Sequence, residues 1–537
     1  MTLPSTPSVP LAASPGPTSV PMVNLTIEGR PVSVPQGTSI LEAAKTVGVL
    51  IPHYCYHPGL PIAGVCRMCL VEVEKAPKLA PACATTVAEG QVVNVHALKA
   101  RDARKGVLEM LLINHPLDCP ICDQAGECEL QDYTYQEGRA DSRYREPKRF
   151  NPVEDFGGDV MYVPNRCILC TRCVRFMEDV AKDAVLNVSE RGDRAYIGKF
   201  EGKDLTHAWA GNVVDLCPVG ALLSKDFLNK ARAWELDRTA SVCTGCSQGC
   251  NMIVETRDNA VVRLRPRPNA EVNEFFLCDT GRLNYRWMNR GDRLEAPNIL
   301  GAQGPRASDW DVALNGAAQV LKGKRVVVLA SPNLSNEALF FLSRIIKSSG
   351  GSGGFRMPQG PEAPLPGVED LALRADRAAN GRGAELLGFE RSASPLAGVR
   401  QGDAVIVADA DLAPDDVQHL ARASAVVVVS TAMPSGLDKA HVVLPIATYV
   451  EEEGTFTNLR GRVQRFLQAR AAPGMARPSW YVLADLANAL GGRHDVTTAS
   501  QAFAALAGAE AAFSGMSYDV LGLRGRTVAG ATAGAAS

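Results

Sequence analysis

The alternation of apolar and polar positions near the start of the chain predicts a β-hairpin that leads into a short helix. Apolar residues alternate over 23–27 and over 31–34, which predicts two strands joined by a tight turn at residues 28–30. Ser39, with Glu42 three residues later, has the form of a capping box and predicts the start of the helix.

The next part of the chain alternates helical patterns with loops rich in Gly, Pro and Cys. Residues 101–135 predict a helical segment interrupted by Pro116 and Pro120, because proline lacks the N–H group that a helix interior needs. Residues 137–160 are polar and predict a linker.

The last part has the pattern of a doubly wound α/β domain. Continuous apolar runs rich in Val at 326–329, 404–407 and 425–429 predict strands that are buried on both faces of a parallel sheet. Helical patterns at 336–346 and 480–490 lie between or after these runs, as the alternation of such a domain requires.

Three segments lack the apolar positions that a packed element needs. Residues 1–21 are rich in Pro, Ser and Thr and are expected to form a disordered tail. Because the first basic residue is Arg30, this tail is also a poor export signal, and we expect the protein to stay in the cytoplasm. The Gly-Ser run at 348–354 is expected to be a loop, and the Ala- and Gly-rich end at 528–537 a loose terminus.

Composition and charge narrow the function classes. The 537 residues imply several domains at about 100 to 200 residues each, and 56 Lys and Arg against 58 Asp and Glu argue against a strongly basic nucleic-acid binder. No stretch approaches the roughly 18 to 20 apolar residues of a membrane span. Without a G-x-G-x-x-G motif or a P-loop, no NAD or ATP site is expected. All fifteen cysteines lie between Cys55 and Cys278, and in a reducing cytoplasm such a group more often binds metal than forms disulfides.

The first candidate ligand set has the spacing C-x10-C-x2-C-x13-C and consists of Cys55, Cys66, Cys69 and Cys83. Four thiolates that follow a hairpin and a helix suit a 2Fe-2S cluster on a β-grasp-like domain. A four-cysteine zinc site uses similar pairs, but zinc ribbons present two C-x2-C pairs and this set has one. His53 and His57 flank Cys55 and are expected to be neighbours, not Rieske-type ligands, because four cysteines are available.

The second set has the spacing H-x3-C-x2-C-x5-C and consists of His115, Cys119, Cys122 and Cys128. Its spacing alone fits a zinc site of three cysteines and one histidine nearly as well as an iron-sulfur cluster. Its position between two other cluster motifs favours the cluster. A neutral imidazole in place of one thiolate would make that cluster less negative, an exchange that raises the potential of Rieske centres.

The third set is the most specific and consists of Cys167, Cys170, Cys173 and Cys217, the last followed by Pro218. The C-x2-C-x2-C run places three thiolates on one tight loop, where they can hold three corners of a 4Fe-4S cubane. Two-cluster ferredoxins repeat this run, and each fourth cysteine serves the other cluster.

The second cluster of such a ferredoxin has no ligands in this chain. The four positions that would supply them hold Met177, His207, Ala210 and Val213. Three arginines surround the C-x2-C-x2-C loop, namely Arg166, Arg172 and Arg175. They form either a solvated basic face or a group of cations that favours the reduced cluster.

The fourth set has the spacing C-x2-C-x3-C-x27-C and consists of Cys243, Cys246, Cys250 and Cys278. Zinc remains an alternative, but a three-cysteine loop before one distant ligand favours a 4Fe-4S cluster. Fifteen cysteines and His115 make sixteen ligands, which divide into four sets of four with no cysteine left over.

These motifs, in this order, resemble the large iron-sulfur subunit of the peripheral arm of respiratory complex I, over residues 22–282. The resemblance implies a 2Fe-2S cluster in the first set and 4Fe-4S clusters in the other three. A later segment resembles a motif of the molybdopterin oxidoreductase superfamily, to which the C-terminal half of that subunit is related. The residues that carry this second resemblance are Leu444, Pro445, Glu452, Gly454, Thr455, Asn458, Gly461, Arg462 and Gln464.

Two departures from working molybdoenzymes bear on the α/β half. Formate dehydrogenases of that superfamily carry a lysine two residues after the fourth cysteine, where this chain has Thr280. No cysteine follows Cys278, so the residue that often binds molybdenum has no candidate. The α/β half is also much shorter than in those enzymes. We therefore expect no molybdopterin on this chain.

The expected fold class is multidomain, with α+β parts followed by an α/β part. The hydrophobic pattern and the resemblance together divide the chain. The expected segments are a disordered tail (1–21), a 2Fe-2S ferredoxin domain of the β-grasp type (22–100), a helical 4Fe-4S segment with one histidine and three cysteines as ligands (101–140), a 4Fe-4S ferredoxin-like domain (141–235), a 4Fe-4S domain of the Mo/W-bis-MGD type (236–295) and a truncated molybdopterin-oxidoreductase-like α/β domain (296–537).

The resemblance implies electron transfer within NADH-quinone oxidoreductase, a translocase, from an FMN-containing NADH-oxidising subunit toward quinone. The implied partners are that flavoprotein, a small 2Fe-2S subunit and quinone-side 4Fe-4S subunits, at the cytoplasmic side of the bacterial inner membrane. Neither nucleic-acid binding, nor direct membrane insertion, nor a substrate-converting site is expected.

Three other function classes stay open. One is the alpha subunit of an NAD-linked molybdenum formate dehydrogenase, against which the missing ligands at Met177 and His207 argue. Another is the electron-transfer subunit of a diaphorase-linked hydrogenase, which leaves the long α/β half unexplained. The third is a purely structural zinc protein.

Overall fold

The computed structural model describes residues 20–301, 304–437 and 440–529. The chain divides into two compact units, each made of several stretches of sequence. The first comprises Met1–Pro116, Glu129–Phe150 and Ile168–Arg172, and the second comprises Leu117–Cys128, Asn151–Cys167 and Cys173–Ser537. The expected tail at 1–21 lies outside the described residues except for its last two positions, as does most of the expected loose terminus.

The first unit contains a five-stranded sheet with the strand order β2-β1-β5-β3-β4. β1 and β2 form the expected antiparallel hairpin, whose turn residues Glu28 and Gly29 have φ of 48° and 72°. Such positive φ values are what a two-residue hairpin turn needs. The strands are β1 (Met22–Ile27), β2 (Arg30–Pro35), β3 (Leu70–Val73), β4 (Ala80–Pro81) and β5 (Val92–Asn94).

The helices of the first unit are α1 (Ile40–Thr46), α2 (Leu98–Leu112) and α3 (Glu129–Glu137). The Ser39 side chain accepts a hydrogen bond from the Glu42 N–H at 3.2 Å, so the N-terminal cap that the sequence predicted is confirmed. Fully buried Ile27, Ile40 and Val93 tie the sheet to α1 and form one apolar core.

The second unit begins with three small sheets, ordered β10-β7-β6, β8-β9 and β11-β12-β13. Their strands are β6 (Glu154–Gly157), β7 (Val160–Tyr162), β8 (Leu186–Ser189), β9 (Tyr196–Lys199), β10 (Leu222–Ser224), β11 (Asp237–Val242), β12 (Asn251–Arg257) and β13 (Ala260–Pro266). The helices among them are short: α4 (Arg172–Arg175), which starts at the last residue of the first unit, α5 (Asn212–Leu216) and α6 (Asp279–Leu283).

An eight-stranded sheet dominates the rest of the second unit, with the order β15-β14-β23-β22-β21-β16-β17-β20. Its six strands from β23 to β20 run parallel, and β14 and β15 extend one edge antiparallel. Its strands are β14 (Asn298–Gly301), β15 (Gly304–Ala307), β16 (Val326–Ala330), β17 (Ser352–Phe355), β20 (Glu390–Arg391), β21 (Ala404–Ala408), β22 (Ala425–Ser430) and β23 (Val442–Pro445).

Short pairs and helices complete this α/β part. The remaining strands are β18 (Ala363–Pro364), β19 (Ala372–Leu373), β24 (Gly454–Thr457), β25 (Arg462–Phe466) and β26 (Arg526–Thr527). The helices are α7 (Trp310–Leu321), α8 (Asn336–Ser349), α9 (Gly381–Leu386), α10 (Pro414–Leu420), α11 (Ser479–Ala489), α12 (Ala499–Ala509) and α13 (Tyr518–Leu521).

The three Val-rich runs are the adjacent parallel strands β16, β21 and β22, as predicted. Alternate residues of β16 enter two different apolar cores: Val326 and Val328 enter one, and Val327 and Leu329 enter the other. Both faces of the sheet are therefore buried, which explains why these strands read as continuous apolar runs.

The predicted loop at 348–354 is wrong except at Gly350 and Gly351. Ser349 ends α8, Gly350 follows with φ of 62°, and Ser352–Phe355 forms β17, paired in parallel with β16. The pairing uses only backbone groups, and glycine fits because a Cβ on Gly353 would stand 2.5 Å from Ile346 and 2.9 Å from Phe389. Because Gly353 has no side chain, the strand packs closely here, and no pattern of apolar residues in the sequence predicts this packing.

Two fully buried carboxyl groups lie in the α/β part and predict a pH-dependent stability. Glu337 accepts hydrogen bonds from the Thr455 N–H and the Tyr518 hydroxyl, each at 2.9 Å, and burial raises its pKa to about 7. Burial likewise raises the pKa of Glu452 to about 8. Each folded pKa lies above the unfolded value of about 4.3, so the stability that the protonated acids provide is complete below that pH and is lost as the pH rises through 7 to 8.

We expect the denaturation midpoint of the α/β part to fall between pH 5 and pH 8. The free energy of unfolding should fall over the same pH range. In Glu337→Gln this loss should be smaller by on the order of 3 kcal/mol. Chemical denaturation at a series of pH values measures it. The exposed Glu390→Gln is the matched control, and an equally steep fall in Glu337→Gln would contradict the prediction.

Candidate metal-cluster sites

The first ligand set converges within the first unit. The Sγ atoms of Cys69 and Cys83 lie 3.4 Å apart, and the Cys55 N–H donates to the Cys66 Sγ at 3.5 Å. Arg67, between two of the ligands, has φ of 58° and turns the loop tightly. The thiols of Cys66 and Cys83 donate hydrogen bonds to the Cys55 sulfur, which lowers the pKa of Cys55 and raises the pKa of both donors.

The two histidines beside Cys55 bond to the backbone. The His53 Nδ1 donates to the Ile51 carbonyl at 2.8 Å, and the His57 Nδ1 accepts from the Gly59 N–H at 3.1 Å. Both contacts hold the rings within their own loop through Nδ1, and that neither histidine is a ligand stays a prediction.

The three cysteines of the second set lie in the second unit, and His115 lies in the first. Cys122 and Cys128 are buried, whereas Cys119 is exposed. Arg232 donates to the Cys122 carbonyl at 2.8 Å and to the carbonyl of Pro120, so it fixes the loop between the ligands.

Gly220 is a residue of this site that sequence reasoning missed. A Cβ on Gly220 would stand 2.2 Å from the Cys122 Sγ and 3.1 Å from the Cβ of Gln124. Only glycine therefore lets the segment that follows Cys217 approach the cysteine loop of the second set. The sequence shows a glycine three residues after Cys217, but no neighbouring residue indicates that a side chain at this position would clash with Cys122.

The third set divides between the units: Cys167, Cys173 and Cys217 lie in the second, and Cys170 lies in the first. Leu169 and Thr171 have φ of 53° and 61°, which is the repeated left-handed backbone of a tight loop. Cys217 ends α5, and burial raises its pKa to about 11. Such a thiol ionises readily only when a metal compensates its charge.

The positions that would bind a second ferredoxin cluster are packed instead. Met177, Ala210 and Val213 are buried in the second unit, and the rings of Phe176 and Phe276 meet 5.2 Å apart. Three of these four positions are thus packed among apolar side chains, whereas His207, at the remaining one, is partly exposed.

Two of the three arginines near the C-x2-C-x2-C loop, Arg166 and Arg172, do not form a solvated basic face. Arg166 is buried and pairs with Asp118 at 2.9 Å within the second unit. Arg172 is buried in the first unit, where it pairs with Glu129 at 3.1 Å and donates to the Tyr56 carbonyl. The solvated interpretation is therefore wrong for both, because carboxylates from distant segments compensate their charges.

The fourth set converges within the second unit, and all four thiols are buried. The Cys243 N–H donates to the Cys250 carbonyl at 2.8 Å, which closes the loop. The N–H groups of Gly245 and Gly281 point at the sulfurs of Cys243 and Cys278, at 3.4 and 3.3 Å. Burial raises the pKa of Cys243 to about 12 and that of Cys250 well above its usual value. Buried thiols with inward N–H donors fit an anionic cluster.

The segment that resembles molybdopterin oxidoreductases supports this loop. The Gln464 amide donates to the Gly249 carbonyl at 2.8 Å and accepts from the Asn251 amide at 2.7 Å. Asn458 donates to the Gln248 carbonyl at 3.2 Å. A motif that the sequence connects with pterin enzymes thus holds the cysteine loop in place here.

Two features are absent from the ranges that the structure describes. No group of three or more His, Cys, Asp or Glu side chains in those ranges has the close geometry that binding of a single metal ion requires. No helix in the same ranges combines the length and apolarity that a membrane crossing needs.

Five family models match the chain, in the order that its motifs predicted. They are a 2Fe-2S iron-sulfur cluster binding domain (20–97), an NADH-ubiquinone oxidoreductase-G iron-sulfur binding region (104–143), an NADH-quinone oxidoreductase subunit 3 ferredoxin-like domain (157–223), a molybdopterin oxidoreductase Fe4S4 domain (236–290) and a molybdopterin oxidoreductase domain (406–489). The expected fold class is therefore confirmed.

Curated relatives align with about three-fifths of the chain. An NADH-quinone oxidoreductase subunit of Rickettsia bellii is 40% identical over 332 residues, which are 61% of this chain and 49% of the relative. The NADH dehydrogenase [ubiquinone] iron-sulfur protein 1 of Solanum tuberosum is 41% identical over 338 residues, 62% of this chain and 46% of the relative. The NADH-ubiquinone oxidoreductase 78 kDa subunit of Candida albicans is 44% identical over 298 residues, 55% of this chain and 41% of the relative. The chain thus spans about half the length of the curated relatives it matches.

One solved structure, a crystal structure of an NAD+-reducing [NiFe]-hydrogenase in the H2-reduced state, matches 39% of this chain and 90% of its own at 28% identity. The TM-score of 0.34 is too low to establish a common fold. The relatives and the family models agree with one another and with the resemblance that the motifs carry. Over about three-fifths of its length, the chain is similar to the large iron-sulfur subunit of NADH-quinone oxidoreductase.

Proposed function

We propose that the chain is an electron-transfer subunit of NADH-quinone oxidoreductase that relays electrons from an FMN-containing, NADH-oxidising subunit toward quinone. One observation carries the proposal: each of the four ligand sets falls whole inside a matched range whose description names an iron-sulfur or ferredoxin domain. Iron-sulfur clusters, when bound, supply one-electron redox chemistry. In this proposal the chain relays electrons and converts no substrate itself.

The proposed ligands are the four sets as the sequence groups them. The first would hold a 2Fe-2S cluster and the other three 4Fe-4S clusters, with no molybdopterin. The second unit offers the buried thiols of Cys243, Cys246, Cys250 and Cys278, and the first unit offers the converging thiols around Cys55. Backbone N–H donors at Gly245 and Gly281 stabilise the added negative charge of a reduced cluster.

The proposed partners are those that the family implies. They are the flavoprotein that oxidises NADH, a small 2Fe-2S subunit and 4Fe-4S subunits on the quinone side. The chain would lie at the cytoplasmic side of the bacterial inner membrane as a peripheral subunit.

His115→Cys tests the imidazole ligand. A fourth thiolate adds a negative charge, so the cluster should persist while its midpoint potential becomes more negative. An EPR-monitored redox titration measures the potential. An unchanged potential would mean that His115 does not bind the cluster, and His53→Cys is the matched control that should leave it unchanged.

Copurification from gently solubilised membranes tests the proposed function. The tagged chain should bring down an FMN-containing, NADH-oxidising subunit, and added NADH should reduce its cluster EPR signals. A chain that is isolated with clusters but without that flavoprotein, and whose clusters NADH leaves oxidised, would contradict the proposal.

A further inference from the structure

A network of partly buried ion pairs in the second unit connects segments that carry ligands of different sets. The Arg265 guanidinium contacts Glu127 at 3.0 Å and Asp215 at 3.2 Å. Arg282 contacts the other oxygen of Asp215 at 2.6 Å. Arg263 adds a further contact to Glu127 at 3.0 Å. Positive and negative groups alternate along this network. Arginines from distant parts of the sequence therefore compensate the charge of each carboxylate.

The carboxylates of this ion-pair network lie close in sequence to proposed cluster ligands. Glu127 precedes Cys128 by one residue, and Asp215 precedes Cys217 by two. Arg282 follows Cys278 by four residues, in α6, the helix that Cys278 caps. The alternating charges therefore connect the second, third and fourth ligand sets.

Backbone contacts fix the segments around Arg282 relative to each other. Asp279 accepts from the Gly211 N–H at 2.9 Å, and the Leu277 N–H donates to the Asn212 side chain at 3.0 Å. The Asn212 amide returns a hydrogen bond to the Leu277 carbonyl, also at 3.0 Å. The segment that leads into Cys217 is thus docked on the segment that holds Cys278.

Because Arg282 and Asp215 are largely shielded from solvent, their charges act on neighbouring groups with little screening. The Arg282 side chain is 8% exposed and that of Asp215 is 12% exposed. A cavity of about 40 Å³, lined partly by Glu127, Asp215, Arg265 and Arg282, borders the pairs and has room for only a few waters. Buried charges are screened by salt far less than exposed ones.

We propose that Arg282 is a shared counter-ion that sets the reduction potentials of two clusters, the one held by the set of Cys217 and the one held by the set of Cys278. The inference rests on the proposed function, because it takes both sets to hold clusters. Reduction adds one negative charge to a cluster, and a buried cation nearby favours that state. Arg282 acts through its placement between the two ligand segments and is a positioning residue, not a ligand.

An EPR-monitored redox titration of the holoprotein tests this inference. Arg282→Gln leaves Asp215 and Asp279 less compensated, so both midpoint potentials should become more negative. Arg282→Lys keeps the charge and should restore both toward the wild-type values. Arg325→Gln, which removes a comparable ion pair to Asp403 at 2.7 Å in the α/β sheet, should leave both unchanged.

Asp215→Asn provides an independent test with the opposite sign. Loss of one negative charge should make both potentials less negative, and the near-isosteric change keeps the inference testable if Arg282→Gln does not assemble. Intact clusters whose potentials do not move, or a shift confined to one of the two, would overturn the inference and leave the proposed function standing. A wild-type chain without clusters would overturn the proposed function instead.

Discussion

Gly220→Ala should abolish the cluster of the His115 set and lower the iron content by about four atoms per chain. The added methyl group would stand 2.2 Å from the Cys122 sulfur, a distance that no side-chain Cβ tolerates. The loop cannot easily retreat, because the same methyl group would also meet Gln124 at 3.1 Å and Arg166 at 3.8 Å. The ligand Cys122 must therefore move away from the position in which it binds.

Iron and acid-labile sulfide analysis, with EPR of the reduced protein, measures this loss. Gly106→Ala is the matched control: Gly106 lies in α2, where an added Cβ meets nothing within 4 Å. That substitution should keep all clusters and stabilise the helix by up to about 1 kcal/mol. Full iron content in Gly220→Ala would show that Cys122 does not bind a cluster in this position.

Cys250→Ser should remove the cluster of the Cys243 set and again lower the iron content by about four atoms per chain. Burial raises the pKa of Cys250 well above its usual value, and the neighbouring charges of Cys246, Cys243 and Cys278 raise it further. A serine hydroxyl ionises much less readily than a thiol and is a poorer ligand for the cluster iron, and metal binding contributes directly to folding. The second unit should therefore also unfold at a lower denaturant concentration.

Ser247→Ala lies on the same loop and removes a hydroxyl but no ligand, so it serves as the control. It should keep the full iron content and the wild-type denaturation midpoint. A Cys250→Ser chain that retains all its iron would mean that the fourth set is not a cluster site. The EPR signals of the other sets report whether the loss is confined to one cluster.

Local sequence signals were sufficient to predict the elements that depend on residues close together in the sequence. The hairpin turn at Glu28 and Gly29, the cap at Ser39 and the Val-rich strands β16 and β21 each follow from residues within a few positions of one another. Ligand spacing also predicts how the sixteen candidate ligands are grouped, because clusters held by loops need their thiols close together in sequence, and this grouping stays a prediction. In the structure, the sulfur atoms of Cys69 and Cys83 lie 3.4 Å apart, and the Cys243 N–H donates to the Cys250 carbonyl at 2.8 Å.

The features that sequence reasoning missed depend on contacts between distant segments. Arg166 lies 48 residues from Asp118, its partner, so its charge reads as a surface charge in the sequence. Gln464 supports a loop 215 residues away. β17 is a strand because β16 pairs with its backbone, although its glycines predict a loop. Local patterns show which residues are apolar, charged or able to bind metal. They do not show which distant residue pairs with a charged group or with a strand.

An anaerobic redox titration of the full chain, followed by EPR and by iron, sulfide and zinc analysis of the same sample, tests the electron-transfer account most directly. We predict about fourteen iron atoms per chain, in one 2Fe-2S and three 4Fe-4S clusters that are each reduced and reoxidised reversibly by one electron. Zinc in place of iron in the ligand sets, or iron that gives no reversible signal, would contradict the account.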